Sequence, residues 1–323
     1  MFKYFLGFDP QKLNTSFNYT MKNALIYSFK KEGISFTCNI DDDFEEAIVP
    51  SGVDFFSYYA TFKKKKNKIN IIATSSMSDF ATRRTKNGVE LILSLDAVNF
   101  YRKADNLFIY FPSQAKLIEK AKIKTNIQKM PIITQDYTSS FTPCQRDAFL
   151  HNYRLQGDRD IIVAYGLLTN KDTVMDLRAI ARNCPEKDFL FFGEVTNDAL
   201  KQTLLESITQ PCNIHFYNHL PEELYPSFLY HCKQLLLVGD YLSFPQVMID
   251  CIYHKIPITT YKLSGYEEIL NENDVNIAKL YSQLYDVINR KTNQQKIENA
   301  YQTIEKLKIS NALHTKKEKT TIL

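Results

Sequence analysis

The chain has 323 residues, which suggests about two domains, and its 44% apolar and 24% charged composition is enough to bury proper cores. No run of about 18 apolar residues occurs, and the start MFKYFLGFDP lacks a long apolar segment, so neither a membrane span nor a signal peptide is expected. The net charge of +4 selects no partner by itself, but residues 61–130 hold 15 Lys/Arg against 5 Asp/Glu, which leaves the remainder mildly acidic. Such a local basic surface suits an anionic partner: a membrane leaflet, nucleic acid or a phosphorylated ligand. The six cysteines form no CxxC pair, and they read as buried free thiols in a reducing compartment rather than a zinc site. Glycine is scarce at nine residues, and loops that cradle phosphate normally need it.

In chain order, Phe2–Leu6 reads as a strand, Asn14–Lys31 as a helix stopped by Gly33, and Ile34–Ile40 as a strand. The apolar stretch Val53–Tyr59 reads as strand-like, and the lysine run Lys63–Lys68 leads into a strand over Ile69–Thr74. A helix is expected over Leu91–Ala104 with Leu91, Leu95, Val98 and Phe100 inward, then a strand over Leu107–Phe111 and a helix from Pro112. Pro131–Gln145 has no clear period and reads as an interdomain linker. The alternation then restarts. Strands are expected at Ile161–Tyr165, Phe189–Phe192 and Asn213–Tyr217, and helices at Thr173–Asn183, Asn197–Ile208 and Pro221–Cys232. Beyond Leu280 the chain reads as helical, and the tail Lys316–Leu323 as frayed.

Leu235–Leu270 is the most informative stretch. Leu235–Val238 is a continuous apolar run ended by Gly239, which reads as a buried parallel strand. A helix over Pro245–His254, a strand over Ile256–Tyr261, a turn at Ser264-Gly265 and a helix start at Tyr266–Leu270 follow. In such a unit the loop 239–245 and the Ser264-Gly265 turn lie at one mouth, at the carboxyl ends of the strands where ligands gather.

Phe216–Tyr261, with its LPEEL helix start, loop–helix and KIPITTY strand, resembles the donor-binding half of retaining glycosyltransferases of the GT-B fold. Gly166–Leu177 and Cys184–Gly193 resemble the preceding loop, helix and strand of that half, and Phe100–Ser113 resembles the first half of diacylglycerol-linked sugar transferases of the family-4 type. The resemblance implies an α/β chain of two Rossmann-like domains whose parallel sheets face a cleft. Residues 1–145 would form an acceptor- or membrane-facing domain and 146–323 a donor-binding domain, the last helix being free to pack back on the first. It also implies transfer of a sugar from a nucleotide donor to a lipid-linked or membrane-associated acceptor, with retention and without metal or cofactor. The implied partners are the donor, an anionic membrane or lipid acceptor, and a second transferase subunit as an alternative. Nucleic acid is not expected, and the protein would be cytoplasmic, either free or peripheral on the inner membrane face.

By the same resemblance Asp250 falls where the family's second donor-loop acid stands, and the first falls on Leu242. Asp250 is thus either a catalytic acid near the sugar or a packing acid. Gly166, Lys171, Ser243, Phe244, Ser264 and Gly265 would line the donor site, with Lys171 on the pyrophosphate and Asp172 where a second cation is expected. The family's glycine loop falls on TSFNY at Thr15–Tyr19, and its histidine on Ser75 or Ser76, which are acceptor-side candidates or ordinary turn residues. These departures keep open an alternative, a catalytically impaired transferase acting as a binding or stabilising partner. Lys63, Lys64, Lys65 and Lys66, with Lys116, Lys120 and Lys124 as a helical stripe, would form a membrane-facing anion surface or a merely solvated face. His215, His219, His231 and His254 show no metal-ligand spacing.

Overall fold

The computed structural model describes residues 2–7, 16–51, 55–73, 79–86, 88–139, 141–168, 171–193, 212–217, 220–239, 246–263 and 266–308. They fall into two compact units. The first comprises Met1–Gln135, Ser243–Gln246 and Leu307–Leu323, and the second Asp136–Leu242 and Val247–Lys306. The boundary expected at 145/146 lies inside a helix of the second unit.

The first unit runs β1 (Tyr4–Leu6), α1 (Ser16–Lys31), β2 (Phe36–Thr37), β3 (Glu46–Pro50), α2 (Phe55–Lys65) and β4 (Lys68–Ile72). A hairpin of β5 (Phe80–Thr85) and β6 (Gly88–Leu93) follows, then α3 (Leu95–Tyr101), β7 (Asn106–Ile109), α4 (Pro112–Lys120) and β8 (Asn126–Lys129). Six strands form one parallel sheet in the order β2-β1-β3-β4-β7-β8. Phe5, Val49, Phe62, Ile71, Leu107 and Ile118 are buried in its core.

Two expectations fail here. Val53–Tyr59 is not a strand: the described part, from Phe55, opens α2, where Tyr58 stacks on Phe62 one turn later at 6.0 Å and meets Phe5 edge-on at 5.5 Å. Aromatic residues favour strands in isolation, but helical i,i+4 pairing against a sheet overrides that preference. Leu91–Ala104 is likewise not one helix. Its first residues belong to β6, Ser94 caps α3 by accepting from the Ala97 amide at 3.2 Å, and Leu95 is 83% exposed rather than inward.

An amide ladder crosses the amino ends of four strands. Asn126 Nδ2 donates to Asn106 Oδ1 at 2.7 Å, Asn106 Nδ2 to Asn70 Oδ1 at 2.6 Å, and Asn70 Nδ2 to Glu46 Oε2 at 2.9 Å. Gln128 Nε2 adds a second donor to Asn106 Oδ1 at 3.1 Å. Asn70 and Asn106 are buried, so each polar atom must be satisfied within the ladder. Asn106→Ala removes the central link and is expected to lower stability by about 2 kcal/mol in urea unfolding. Asn126→Ala, at the exposed end, should lower it by about 0.5 kcal/mol; equal effects would show that the ladder is not cooperative.

The second unit begins with α5 (Pro143–Tyr153), which the linker reading missed. Its start carries a capping box: Thr142 Oγ1 accepts from the Gln145 amide at 3.3 Å, and Gln145 Oε1 from the Thr142 amide at 3.1 Å. The chain continues through β9 (Asp160–Leu167), α6 (Lys171–Asn183), β10 (Lys187–Phe192), β11 (Ile214–Tyr217), α7 (Tyr225–His231) and β12 (Cys232–Gly239). Then come α8 (Gln246–Tyr253), β13 (Ile258–Tyr261), β14 (Asn276–Ala278), α9 (Tyr281–Asn289) and α10 (Gln294–Lys306). The parallel sheet has the order β11-β10-β9-β12-β13-β14. Leu235, Leu236, Leu237 and Val238 of β12 are at most 1% exposed, as a central strand covered on both faces requires. Each such side chain contributes about 1.5–3 kcal/mol of burial.

The helix expected from Tyr266 is only a short 3-10 turn, Tyr266–Glu268. The last helix, α10, packs within the second unit: Lys296 Nζ donates to the Val275 carbonyl at 2.9 Å and Asn299 Nδ2 to that of Asn273 at 3.1 Å. Only the residues after it join the first unit, where the Ile132 amide donates to the Leu307 carbonyl at 3.0 Å. The expected helix Asn197–Ile208 and the tail from Lys316 lie outside the described residues.

Candidate functional site

Numbered by their own succession, the strands of the second sheet stand in the order 3-2-1-4-5-6, so the strand order reverses between β9 and β12. Ligands of open parallel sheets bind outside the carboxyl ends of the strands at such a switch point. Three adjacent strands end there on glycine or run into one: Gly166 near the end of β9, Gly239 at the end of β12, and Gly193 just past β10. The backbones are very close. A Cβ on Gly166 would lie 1.9 Å from the Val238 carbonyl oxygen, and one on Gly193 1.9 Å from the Gly166 carbonyl oxygen. Gly166 therefore has a structural duty beyond any contact with a ligand, because only glycine lets β9 lie this close to β12.

From the same edge β9 leads into α6. Lys171 is its first residue and is exposed, with Asp172 exposed beside it. A cation beside the positive end of a 13-residue helix suits a phosphate group. Across the mouth, Lys262 follows the end of β13 and places Nζ 2.6 Å from Asp176 Oδ2, about one and a half turns along α6 from Lys171. The Tyr261 hydroxyl donates to the same carboxylate oxygen, and Lys262 Nζ lies 5.0 Å from the Tyr261 ring centre. Burial, and then the hydrogen bond to Asp176, push the Tyr261 hydroxyl well above its ordinary range, so it stays a donor. Lys262 is thus a second cation held beyond the carboxyl end of a strand, and the sequence reading did not single it out. The clue was a lone Lys just beyond an apolar strand, while its carboxylate partner is 86 residues away.

Asp250 is placed differently. It lies in α8 among Val247, Met248, Ile249, Cys251 and Ile252, all buried, and is itself 0% exposed. The Tyr225 hydroxyl donates to Asp250 Oδ2 at 2.7 Å, and Tyr137 packs edge-on against Tyr225 at 5.3 Å. Burial, followed by the Asp250 charge, holds the Tyr225 hydroxyl well above the usual phenol range. The structure thus encloses Asp250 within the second unit and gives its carboxylate a tyrosine hydroxyl as donor.

Ser75, Ser76, Leu242, Ser243, Phe244, Ser264, Gly265, Thr15 and His219 lie outside the described residues. The helical stripe of lysines expected in the first unit does not form. Helix α4 ends at Lys120, Lys122 takes a left-handed φ of 55°, and Lys124 sits in the irregular segment before β8, so Lys116, Lys120 and Lys124 share no helical stripe. Lys120 instead pairs with Glu90 at 3.0 Å beside Arg83, and hydrogen bonds from Arg83 and then Lys120 hold the Glu90 carboxyl below its usual range. Lys65 is turned inward: its Nζ donates to the carbonyls of Ile40 at 3.0 Å and Asp42 at 2.7 Å and lies 5.1 Å from the Phe44 ring centre. Lys63, Lys64 and Lys66 remain exposed.

Among the described residues no group of three His, Cys, Asp or Glu side chains is placed to hold a metal ion, and no helix is long and apolar enough to cross a membrane. All six cysteines are free, but only Cys184, Cys232 and Cys251 are buried; Cys38, Cys144 and Cys212 are exposed, contrary to the expectation from their apolar neighbours.

No protein-family model matches the sequence, and no curated protein does. Solved structures do resemble it. Anabaena HepE in complex with UDP and glucose superposes with a TM-score of 0.64 at 9% identity, over 99% of this chain and 100% of that one. A glycosyltransferase from Rickettsia africae gives 0.54 at 13% identity over 97% and 82%. WaaG, a glycosyltransferase involved in lipopolysaccharide biosynthesis, gives 0.54 at 12% identity over 99% and 100%. At these identities the likeness is one of fold, and with its two parallel six-stranded α/β units the chain has the GT-B fold of these transferases.

Proposed function

We propose that the protein is a glycosyltransferase that binds a nucleotide-sugar, of the UDP type, at the switch point of its second unit. The observation that carries this reading is the switch point itself, where Gly166 lies near the end of β9, Gly239 ends the neighbouring β12, and exposed Lys171 opens the helix that follows β9. Support comes from the whole-length likeness to a fold whose solved examples include one holding UDP and glucose. Lys171 and Lys262 would neutralise the donor diphosphate. Asp176 fixes Lys262 by a bond of 2.6 Å and so limits the entropy lost when the anion binds. Charge held in place before the reaction stabilises the departing diphosphate. Retention at the sugar carbon and a lipid-linked or membrane-associated acceptor extend the resemblance seen in Phe100–Ser113 and complete the proposal.

The test is a thermal shift and calorimetric titration with UDP and UDP-glucose. Binding is expected, and Lys171→Gln or Lys262→Gln should weaken it by about 10-fold or more, as loss of a charge-assisted contact does. No binding of any uridine, adenosine or guanosine diphosphate would end the donor-site reading. Binding without transfer to any acceptor in a membrane extract would favour the alternative, an impaired transferase serving as a partner subunit.

A further inference from the structure

The second unit carries a pocket at the amino ends of its strands. Gln234 near the start of β12, Pro257 just before β13, and Asn276 at the start of β14 form its floor. Its wall is the junction between α9 and α10, with Arg290, Lys291, Thr292 and the first turn of α10. The cavity is about 230 Å³, below the range typical of drug-sized ligands, and so suits a small molecule. Its lining includes three cations, Arg290, Lys291 and Lys296, and no carboxylate.

These cations are not simply a solvated face. Lys296 is half-buried, and its Nζ is anchored on the Val275 carbonyl at 2.9 Å, which leaves further N–H donors. Arg290 touches Asp286 at 3.3 Å, but that pair lies on the surface with side chains 72% and 56% exposed, where an ion pair is weak and an incoming anion can compete. Asn293, which also lines the pocket, caps α10 by accepting from the Gln295 amide at 3.0 Å and the Lys296 amide at 3.3 Å, so these two amides are already taken and an anion there would meet the side-chain cations. On the floor, Gln234 is 8% exposed and its Nε2 is held by Thr259 Oγ1 at 2.6 Å, so that side of the cavity is rigid.

We propose that this pocket, between the amino ends of β12–β14 and the α9–α10 junction, is a second anion site that takes a small soluble phosphate-bearing molecule. Cations converging from two turns of chain, with amide and hydroxyl groups around them and no competing carboxylate in the lining, match the three or four acceptor oxygens and charge of a phosphate group. The site stands apart from the switch point, at the other end of the strands, and does not depend on the donor reading.

The test uses the whole protein with inorganic phosphate and pyrophosphate at low ionic strength, where surface charges are least screened. Pyrophosphate should raise the melting temperature by about 2 °C or more at saturating concentration. The double variant Arg290→Gln/Lys291→Gln changes only exposed side chains, so it should fold, and it should lose most of that shift. Lys171→Gln should keep it. The proposal is overturned if wild-type protein shows no shift, if the double variant shifts as wild type does, or if the shift is lost in Lys171→Gln, which would place the anion at the donor edge. Binding to phosphatidylglycerol vesicles that the double variant abolishes, with no shift from the soluble anions, would make the source a lipid headgroup and would also overturn it.

Discussion

Asp250→Ala is expected to lower the stability of the protein by about 2–3 kcal/mol, because it leaves the buried Tyr225 hydroxyl without its acceptor and empties space inside α8. Asp250→Asn keeps an oxygen in place and should lose about 1 kcal/mol or less. Tyr225→Phe takes a donor from an enclosed carboxylate and should cost about 1.5–3 kcal/mol. In a double-mutant cycle Asp250→Asn and Tyr225→Phe should show a coupling of about 1 kcal/mol, measured by urea unfolding. The same variants separate packing from chemistry. If Asp250 is a packing acid, Asp250→Asn should keep UDP affinity and transfer within a few-fold. A drop in turnover of about 1000-fold, with fold and UDP affinity intact, would return Asp250 to the chemistry.

Gly166→Ala is expected to prevent the second unit from folding, or to destabilise it by more than about 3 kcal/mol. The added Cβ would lie 1.9 Å from the Val238 carbonyl oxygen, and both atoms are tied to backbone in a central strand pair, so no rotamer can relieve the clash. The φ of 151° adds strain for any residue with a side chain. Gly193→Ala, with its Cβ 1.9 Å from the Gly166 carbonyl oxygen, should behave alike. Gly33→Ala is the control. Gly33 has a φ of 66° and nothing within 4 Å of its would-be Cβ, so only the conformational penalty of about 1 kcal/mol applies. Circular dichroism melts of the three variants measure the contrast. A Gly166→Ala protein as stable as Gly33→Ala would mean that β9 and β12 are not held at this spacing.

Much of the fold was legible where the hydrophobic pattern is strong. Leu235–Val238, Phe189–Phe192 and Ile161–Tyr165 are continuous apolar runs, and all became strands at the centre of one sheet. α5 was legible but went unread: TPCQ carries the Thr-x-x-Gln capping box with Pro at the first helical position. The burial of Asp250 also had a signal, since a short helix apolar on every side, QVMIDCIY, has no solvent face on which to put a carboxylate.

Other features were not in local sequence at all. Lys65 and Lys64 read alike along the chain, yet one donates to three carbonyls and the other faces water, because Ile40, Asp41 and Asp42 fold back over the end of α2. The fixed position of the Lys262 ammonium needs Asp176 from a helix 86 residues earlier.

By itself the sequence determined the alternation of strands and helices and the two-part α/β plan, since hydrophobic periodicity and turn residues act over a few residues. The tertiary structure decided the strand order, and with it the switch point at Gly166 and Gly239, the enclosure of Asp250 and the partner of Lys262. Those depend on which distant segments meet, and the free energy of such meetings is carried by contacts that no local pattern encodes.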